Sequence, residues 1–314
     1  MGTQCLGFDT SNYTTSAAVF GGGTAENRGR LLTVPEGALG LRQSDALFQH
    51  VKRLHLMVEQ LRSEGAVGQI AAVGASTRPR EVEGSYMPCF LVGEGEGRAL
   101  AAAVGVPFYP CSHQQSHVAA AAWSAGREDL LDKPHLAWHL SGGTTELLRV
   151  EPEGHTVRAE VIGGTSDISA GQLVDRAGLL LGLPFPAGKA LDGLYPEADG
   201  AGFFRVKLNG LTFSLSGMEN KVKELAEKGE KPANVARFTI DTIMDVLLRA
   251  TREAQKKWPG LPVLCSGGVA SNRQIRAAME RACGAVFAQP QYATDNALGV
   301  AILAHRALER GIPG

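Results

Sequence analysis

The sequence predicts an α/β protein with two lobes and a ligand cleft between them. An apolar run that ends at Phe8 is followed by a polar turn beginning at Asp9 and then by the apolar segment 17–20. This order of strand, turn and strand is typical of a β-hairpin. A second unit of the same kind opens at Ser141, in the other half of the chain. Helical patterns follow both hairpins, and alternation of strands and helices is typical of the α/β class.

In the first half, the hairpin is followed by helical and strand patterns in alternation. Apolar residues recur at helical spacing between Ser44 and Ser63, which predicts a helix. The run 70–75 predicts a short buried strand, and residues 98–104 predict a helix of small residues that ends at Gly105. Residues 107–109 begin the next strand, and a helix is expected around 111–121.

The second half repeats this organisation from about Pro134 onward. We expect an N-terminal lobe of residues 1–133, a C-terminal lobe of residues 134–294, and a last helix that joins the first lobe from 295–314. The elements predicted in this half are strands at 135–140, 146–150 and 263–265, and helices at 170–181, 232–257 and 295–310.

Composition narrows the functional class. The chain has 314 residues, a formal net charge of -1 and a pI of about 6.7, so no overall basic field indicates a nucleic-acid partner. The first residues lack the pattern of a signal peptide, and no window reaches the roughly 18 apolar residues of a membrane span. We therefore expect a cytoplasmic protein without a membrane segment. The cysteines are scattered, which predicts buried reduced thiols.

Three turns rich in glycine and hydroxyl groups follow apolar strands, at 9–16, 141–145 and 266–272. Backbone N–H groups at such strand ends can bind phosphate, and small residues let the phosphate approach. A single turn of this kind is also typical of an ordinary hairpin tip, but three in this order indicate a nucleotide site. The P-loop pattern is absent from the sequence, and the glycines at 93–97 alternate with glutamates that would repel a pyrophosphate.

A candidate metal site is formed by two histidines and an aspartate. His113 and His117 are spaced i, i+4, so a helix would place both imidazoles on one face. Asp295, at the start of the last predicted helix, is the candidate third ligand. Two surface histidines and an ordinary helix cap are the alternative interpretation. Two imidazoles and one carboxylate suit iron or zinc, whereas the zincin protease motif fails because no Glu follows His113.

Taken together, the two hairpin turns and the third Gly-Gly turn resemble those of the actin/hexokinase-like (ASKHA) ATPase fold, in which a nucleotide lies between two duplicated lobes. Within this fold, the chain resembles the tRNA threonylcarbamoyladenosine transferases, formerly called glycoproteases. The resemblance covers nearly the whole chain and keeps the order of the motifs. These motifs are 6–11, 112–117, 141–147, 170–176, 181–188, 213–217, 267–272 and 294–296.

The resemblance implies a role for each matching position. It implies a divalent metal, iron or zinc, held by His113, His117 and Asp295. It also implies an adenine nucleotide or acyl-adenylate that contacts a set of residues in the second half. Asp175 and Asp192 would reach the ribose hydroxyls, and Asn272 would contact the base or sugar. The full set is Ser141, Gly142, Gly143, Thr144, Asp175, Gly188, Asp192 and Asn272.

The first turn departs from the family pattern, which reads Glu-Thr-Ser-Cys-Asp-Glu-Thr. Here Tyr13 and Thr14 replace the two adjacent acids, and Asp9, Tyr13 and Thr14 are the candidate catalytic positions. Hydroxyl groups cannot replace a carboxylate base near neutral pH. The family's Ser-Gly-Gly-His-Thr turn also has Thr144 in place of histidine. These changes predict a divergent paralogue.

The leading hypothesis is a metal-assisted transferase that moves a threonylcarbamoyl or carbamoyl group from an acyl-adenylate to adenosine of tRNA. One alternative is a carbamoyl-type transferase with an acceptor other than tRNA. Another is a catalytically weak, nucleotide-binding regulatory paralogue. Family members act in complexes, so we expect protein partners or a homodimer. Arg78, Arg80, Lys221 and Lys223 are interpreted as scattered surface cations.

Overall fold

The computed structural model describes residues 2–34, 41–200 and 202–314, and the chain divides into two units. Unit 1 consists of Met1–Asp132, Glu151–Ala159 and Asp295–Gly314, and unit 2 consists of Lys133–Val150 and Glu160–Thr294. The described strands form two β-sheets, one in unit 1 and one that lies mainly in unit 2. The strands and α-helices in chain order are β1 (Gln4–Thr10), β2 (Thr14–Gly21), β3 (Thr24–Leu31), α1 (Gln43–Ser63), β4 (Ile70–Arg78), α2 (Phe90–Val104), β5 (Phe108–Ser112), α3 (His113–Ser124), β6 (His135–Leu140), β7 (Thr145–Glu153), β8 (Thr156–Thr165), α4 (Ala170–Leu180), α5 (Gly188–Leu194), β9 (Leu208–Asn209), β10 (Thr212–Phe213), α6 (Ser216–Glu227), α7 (Pro232–Lys257), β11 (Val263–Ser266), α8 (Arg273–Cys283), β12 (Val286–Phe287) and α9 (Leu298–Glu309).

The sheet of unit 1 has the strand order β3-β2-β1-β4-β5, with β1 antiparallel to β2 and parallel to β4. Successive side chains of β1 point to opposite faces of the sheet because a strand has a period of two. On one face, Leu6 and Phe8 are buried in a cluster that includes Leu54 of α1. On the other face, Cys5 is buried with Ala304 of α9. The central strand is therefore covered by helices on both sides.

The sheet of unit 2 has the strand order β12-β11-β6-β7-β8-β10-β9, with β6 antiparallel to β7 and parallel to β11. Trp138 of β6 is fully buried, and its indole Nε1 donates a hydrogen bond to Thr251 Oγ1 of α7 at 2.9 Å. The apolar side of α7 lies in the same core through residues such as Ile243 and Leu247. This bond satisfies the one polar atom of the buried indole.

The same arrangement of three strands occurs in both units. In unit 1, β1 lies between its hairpin partner β2 and the parallel strand β4. In unit 2, β6 lies between its hairpin partner β7 and the parallel strand β11. The recurrence of the hairpin that the sequence predicts is thus confirmed as a recurrence of sheet topology.

Several predicted boundaries were wrong. Helix α2 begins at Phe90 and not near Arg98, so the glycine run 93–97 is helical. Gly93 and Gly97 face the sheet: a Cβ on Gly97 would lie 2.8 Å from the ring of Phe108, so a larger residue would push the helix away. Helix α9 begins at Leu298 rather than Asp295. Among the described residues, no helix has the length and apolar character needed to cross a membrane.

Candidate metal centre and nucleotide-binding residues

The two predicted histidine ligands lie on α3, which begins directly at His113. Ser112 caps the helix, since its hydroxyl accepts a hydrogen bond from the backbone N–H of Gln115 at 3.2 Å. The side chain of Gln115 in turn accepts one from the backbone N–H of Ser112 at 2.8 Å, which completes a capping box. This cap fixes the first turn of α3, so that His113 and His117 project from one face.

Asp295 reaches these histidines from the segment that precedes α9. The cap interpretation of Asp295 does not hold, because α9 begins three residues later and it is Asn296 Oδ1 that accepts the N–H of Leu298, at 3.1 Å. Close packing of α9 on α3 brings the carboxylate within reach. At Gly299 the two helices are so close that an added Cβ would lie 1.9 Å from the backbone oxygen of Ser116.

The three side chains converge within unit 1. His117 Nε2 lies 3.0 Å from His113 Nε2 and 3.2 Å from Asp295 Oδ1, and His113 Nε2 lies 3.6 Å from the same oxygen. Ligand atoms at roughly 2.0–2.2 Å from a shared zinc ion would lie about 3–3.5 Å apart, which matches this spacing. The donor set of two imidazole nitrogens and one carboxylate oxygen therefore fits a divalent transition metal.

Asp9 lies directly behind this triad. It is fully buried at the end of β1, and its Oδ1 lies 3.0 Å from Nδ1 of His113. Ser76 of β4 donates to the same oxygen, and Ser11 Oγ donates to Oδ2 at 2.9 Å. A carboxylate that accepts from Nδ1–H holds the proton on that nitrogen and turns the lone pair of Nε2 toward the other ligands. Asp9 therefore contacts the centre through a ligand and has no exposed surface of its own.

The electrostatics of the triad favour a positive charge. Burial lowers the pKa of His113, but the nearby carboxylates of Asp9 and Asp295 outweigh it and raise this pKa to about 10. Burial raises the pKa of Asp295, whereas its hydrogen bonds to His113 and His117 lower it more strongly, so that the net pKa is well below the usual range. The carboxylates of Asp9 and Asp295 thus hold a proton on His113, and a bound metal cation would replace that proton.

The first turn contributes hydroxyl groups to the centre. Ser11 Oγ and Thr14 Oγ1 each lie 3.5 Å from Asp295 Oδ2, so both face the same carboxylate. Thr14 is buried, whereas Tyr13 is 47% exposed and has no hydrogen bond to the triad among the described contacts. Of the candidate catalytic positions, Thr14 thus lies beside the centre, Asp9 behind it, and Tyr13 at the surface.

The predicted phosphate turn joins β6 to β7 in unit 2. The backbone N–H groups of Gly143 and Thr144 donate to Ser141 Oγ at 3.3 and 3.0 Å. The sequence predicted exposed donors, but this hydroxyl already accepts two of them, so a phosphate would have to replace it. Ser169, the N-cap of α4, donates to the carbonyl of Gly142 at 2.6 Å. The positive end of the α4 dipole therefore lies at this turn, where it favours an anion.

Asp175 and Gly188 lie next to one another in unit 2. Asp175 Oδ1 on α4 accepts the backbone N–H of Ala187 at 2.8 Å, and Gly188 follows as the first residue of α5. The space beside Gly188 is open, since an added Cβ would meet only Val174, at 3.9 Å. One oxygen of Asp175 is thus engaged in positioning α5, and Gly188 leaves room for a ligand.

Asp192 and Asn272 are hydrogen-bonded to each other. Asn272 Nδ2 donates to Asp192 Oδ1 at 3.1 Å, and Arg273 Nε donates to Asp192 Oδ2 at 2.7 Å. Asn272 Oδ1 accepts the N–H groups of Gln274 and Ile275, which makes it the cap of α8. A ribose hydroxyl at Asp192 would share the carboxylate with these donors, and Asn272 would contact a nucleotide through the second N–H of its Nδ2.

One residue of the metal centre was missed by sequence reasoning. Ser76 lies at the end of β4, which runs parallel to β1, and its hydroxyl is buried against Asp9. Carboxyl ends of neighbouring parallel strands meet at one edge of a sheet, so a polar residue at the end of the predicted strand was the available signal.

Comparison with known proteins relates the chain to one family of enzymes. The family model "TsaD: tRNA N6-adenosine threonylcarbamoyltransferase" matches residues 40–302. The curated tRNA N6-adenosine threonylcarbamoyltransferase of Thermus thermophilus is 34% identical over 271 residues, covering 84% of this chain and 80% of the relative. The protein of the same name from Bacillus subtilis is 31% identical over 282 residues, covering 84% and 78%. The matched range includes all the predicted metal and nucleotide residues but not the first turn.

Solved structures that resemble the chain confirm the predicted fold class. Full-length HypF in its phosphate- and nucleotide-bound form superposes with a TM-score of 0.63 at 14% identity, covering 99% of this chain and 56% of that protein. The ROK hexokinase of Thermus thermophilus has a TM-score of 0.54 at 15% identity, covering 98% and 100%. At these identities the likeness shows the actin/hexokinase-like fold alone.

Proposed function

This chain belongs to the tRNA N6-adenosine threonylcarbamoyltransferase family, and from that premise we propose that it transfers a threonylcarbamoyl group to adenosine of tRNA. The proposed donor is the acyl-adenylate, which would release AMP as the new bond forms to the adenine amine. The tRNA acceptor implies that the reaction takes place in the cytoplasm.

The observation that carries the proposal is the convergence of His113, His117 and Asp295 within unit 1. We propose that these residues hold a divalent metal, iron or zinc. When bound, the metal would supply Lewis-acid polarisation of the acyl carbonyl. Because Nδ1 of His113 is hydrogen-bonded to Asp9, Nε2 is the nitrogen that would hold the metal, in exchange for its proton.

The residues of unit 2 support binding of the adenylate. The turn at 141–144 and the N-terminus of α4 would face the phosphate, with Ser141 exchanging its internal hydrogen bonds for the ligand. Asp175 and Asp192 would accept from the ribose hydroxyls, since a carboxylate is the natural acceptor for a diol. Gly188 would allow the nucleotide to approach the backbone of α5.

A second candidate function is favoured by the first turn. Thr14 Oγ1 faces Asp295 where the family has a carboxylate, and the family model begins its match only at residue 40. The two carboxylates described at the centre, Asp9 and Asp295, are both hydrogen-bonded to histidine. A catalytically weak nucleotide-binding paralogue, or a transferase with an acceptor other than tRNA, would be consistent with this arrangement.

Release of AMP from threonylcarbamoyl-adenylate, with and without unmodified tRNA, separates these functions. We expect the metal-loaded protein to release AMP faster when tRNA is present, and the Asp295→Ala variant to lose this release. Equal release without tRNA would mean that the acyl group passes to water, and it favours an acceptor other than tRNA. Release at the level of the variant, even with candidate partner subunits added, favours the regulatory paralogue.

A further inference from the structure

A surface cavity of about 470 Å³ in unit 2 is lined mainly by cationic side chains. Arg249, Arg252 and Lys256 come from α7, and Arg205 comes from the segment before β9. The positions 249, 252 and 256 are spaced by three and four residues, so they lie on one face of the helix. Seven residues at about 1.5 Å each make this a stripe roughly 10 Å long. We refer to these four residues and the space between them as the basic cavity.

The cations of the basic cavity are only partly neutralised. Arg249 pairs with Asp245 at 2.7 Å, and Lys256 pairs with Glu253 at 2.7 Å. Within the described ranges, the guanidinium groups of Arg205 and Arg252 have no ion-pair partner. The four cations and the two acids therefore leave two positive charges in excess at one opening. Convergent like charges repel each other, and binding of an anion removes that repulsion.

The segment that carries Arg205 is held in place on α7. The backbone N–H of Phe204 donates to Thr242 Oγ1 at 3.1 Å, and Arg249 donates to the carbonyl of Val206 at 2.6 Å. Val206 is buried in the core of unit 2. These anchors leave Phe203 and Phe204 51% and 45% exposed immediately before Arg205. Two aromatic rings are thus displayed at the surface next to a cluster of cations.

We propose that the basic cavity binds the phosphodiester backbone of the tRNA acceptor, with Phe203 or Phe204 stacking on an unpaired base. A small anion is a poorer fit, because small-molecule sites bury most of their ligand whereas Arg205, Arg252 and Lys256 are exposed. Exposed aromatic rings beside arginines are the combination with which proteins bind single-stranded RNA. This inference rests on the proposed function, since it takes tRNA as the acceptor.

The test is the affinity of the full chain for unmodified tRNA, measured at several salt concentrations between about 50 and 200 mM. The variants are Arg205→Gln, Arg252→Gln and their combination. The control is Arg62→Gln, which removes the same charge from an exposed position on α1. We expect both single variants to weaken binding severalfold, and to reduce the slope of log affinity against log salt by about one for each phosphate that the variant no longer neutralises. The control should change neither quantity.

Kinetics distinguish this inference from the proposed function. At saturating tRNA the variants should release AMP at the rate of the wild type, with a raised KM for tRNA alone. If the wild type shows no turnover but the variants still lose tRNA binding, the result supports the basic cavity and contradicts the proposed function. If the wild type shows turnover and the variants bind tRNA with unchanged affinity, the inference about the basic cavity is wrong and the proposed function still holds.

Three other results would overturn the inference. One is an equal loss of affinity in Arg62→Gln, which would mean that only overall charge matters. Another is the absence of tRNA binding by the wild type. The third is that the wild type binds polyglutamate, whereas the variants lose this binding but still bind tRNA. That result would assign the basic cavity to an acidic protein.

Discussion

Oδ1 of Asp9 lies 3.0 Å from Nδ1 of His113, and this contact joins the end of β1 to the first turn of α3 across 104 residues of sequence. Both oxygens of Asp9 are used, because Ser76 donates to Oδ1 and Ser11 to Oδ2. The carboxylate cannot rotate without breaking one of these bonds. The proposed metal ligand is therefore held in one orientation by a second layer of buried hydrogen bonds.

Replacing Asp9 by Asn should weaken metal binding by about 10- to 100-fold, the usual effect of removing an outer partner of a histidine ligand. The amide keeps the shape of the side chain but loses the charge that holds the proton on Nδ1. Competition between the protein and a chromophoric chelator for Zn²⁺ or Co²⁺ measures this affinity. The Co²⁺ spectrum also reports the geometry of the site.

The control for Asp9→Asn is Asp45→Asn, an exposed change in the first turn of α1. It should leave metal affinity unchanged. Wild-type affinity in Asp9→Asn, in a protein that is folded, would show that Asp9 does not position His113.

Gly299→Ala should separate α9 from α3 and thereby displace Asp295. The new methyl group would lie 1.9 Å from the backbone oxygen of Ser116, so a helix must shift. We expect a loss of stability of a few kcal/mol, typical of overpacking, together with weaker metal binding. Chemical unfolding and chelator competition measure the two effects.

Gly95→Ala is the matched change for this prediction, because Gly95 lies in α2 with open space around its Cβ position. There the substitution should raise stability by about 0.5–1 kcal/mol through helix propensity. Equal effects of the two substitutions would contradict the close approach of α9 to α3.

Because of His50, we expect the free energy of unfolding to fall in acid. It is fully buried on α1, where Thr15 Oγ1 lies 2.8 Å from its Nδ1, and burial lowers its pKa from 6.5 to about 4. The folded state therefore binds this proton less well than the unfolded state does. The stability that neutral His50 contributes is present above pH 6.5 and is lost as the pH falls through 6.5 toward 4.

Urea unfolding at pH 7 and pH 5 measures this contribution. For the wild type, His50 should account for a loss of about 2 kcal/mol between these values. His50→Gln keeps a hydrogen-bonding group but does not titrate, so its loss should be smaller by that amount. Equal losses in the two proteins would show that folding does not lower the pKa of His50.

Metal binding should raise the unfolding temperature of the wild type. A ligand that binds only the folded state contributes about 2.7 kcal/mol when present at 100 times its Kd. Asp295→Ala should abolish this increase because it removes one of the three ligands. Thermal unfolding with and without Zn²⁺ shows the effect, and an equal increase in the variant would place the metal elsewhere.

The repeated hairpin and the histidine pair were predictable because each carries a local signal, whereas Asp295 had no signal that separated a ligand from a helix cap. The hairpins follow from strands that flank polar turns, and the histidine pair follows from its helical spacing. Helix α7 has the predicted bounds, 232–257, because its apolar residues recur over many turns between a proline and a pair of lysines.

Other features depend on contacts that sequence reasoning could not show. Sequence reasoning began this helix near Arg98, but the glycine run 93–97 is also helical, with Gly93 and Gly97 packed against the sheet. The hydrogen bonds of Ser76 to Asp9 and of Asn272 to Asp192 join distant segments. Arg205 and Arg252 lie 47 positions apart in sequence and converge only because the segment before β9 is anchored to α7.

The most direct test of the proposed transfer is mass spectrometry of nucleosides from tRNA incubated with metal-loaded protein and threonylcarbamoyl-adenylate. We expect N6-threonylcarbamoyladenosine to appear with the wild type and with Arg62→Gln, and Asp295→Ala to produce none. A wild-type protein that binds the metal and the tRNA yet leaves adenosine unmodified, with candidate partner subunits present, would contradict the proposed transfer.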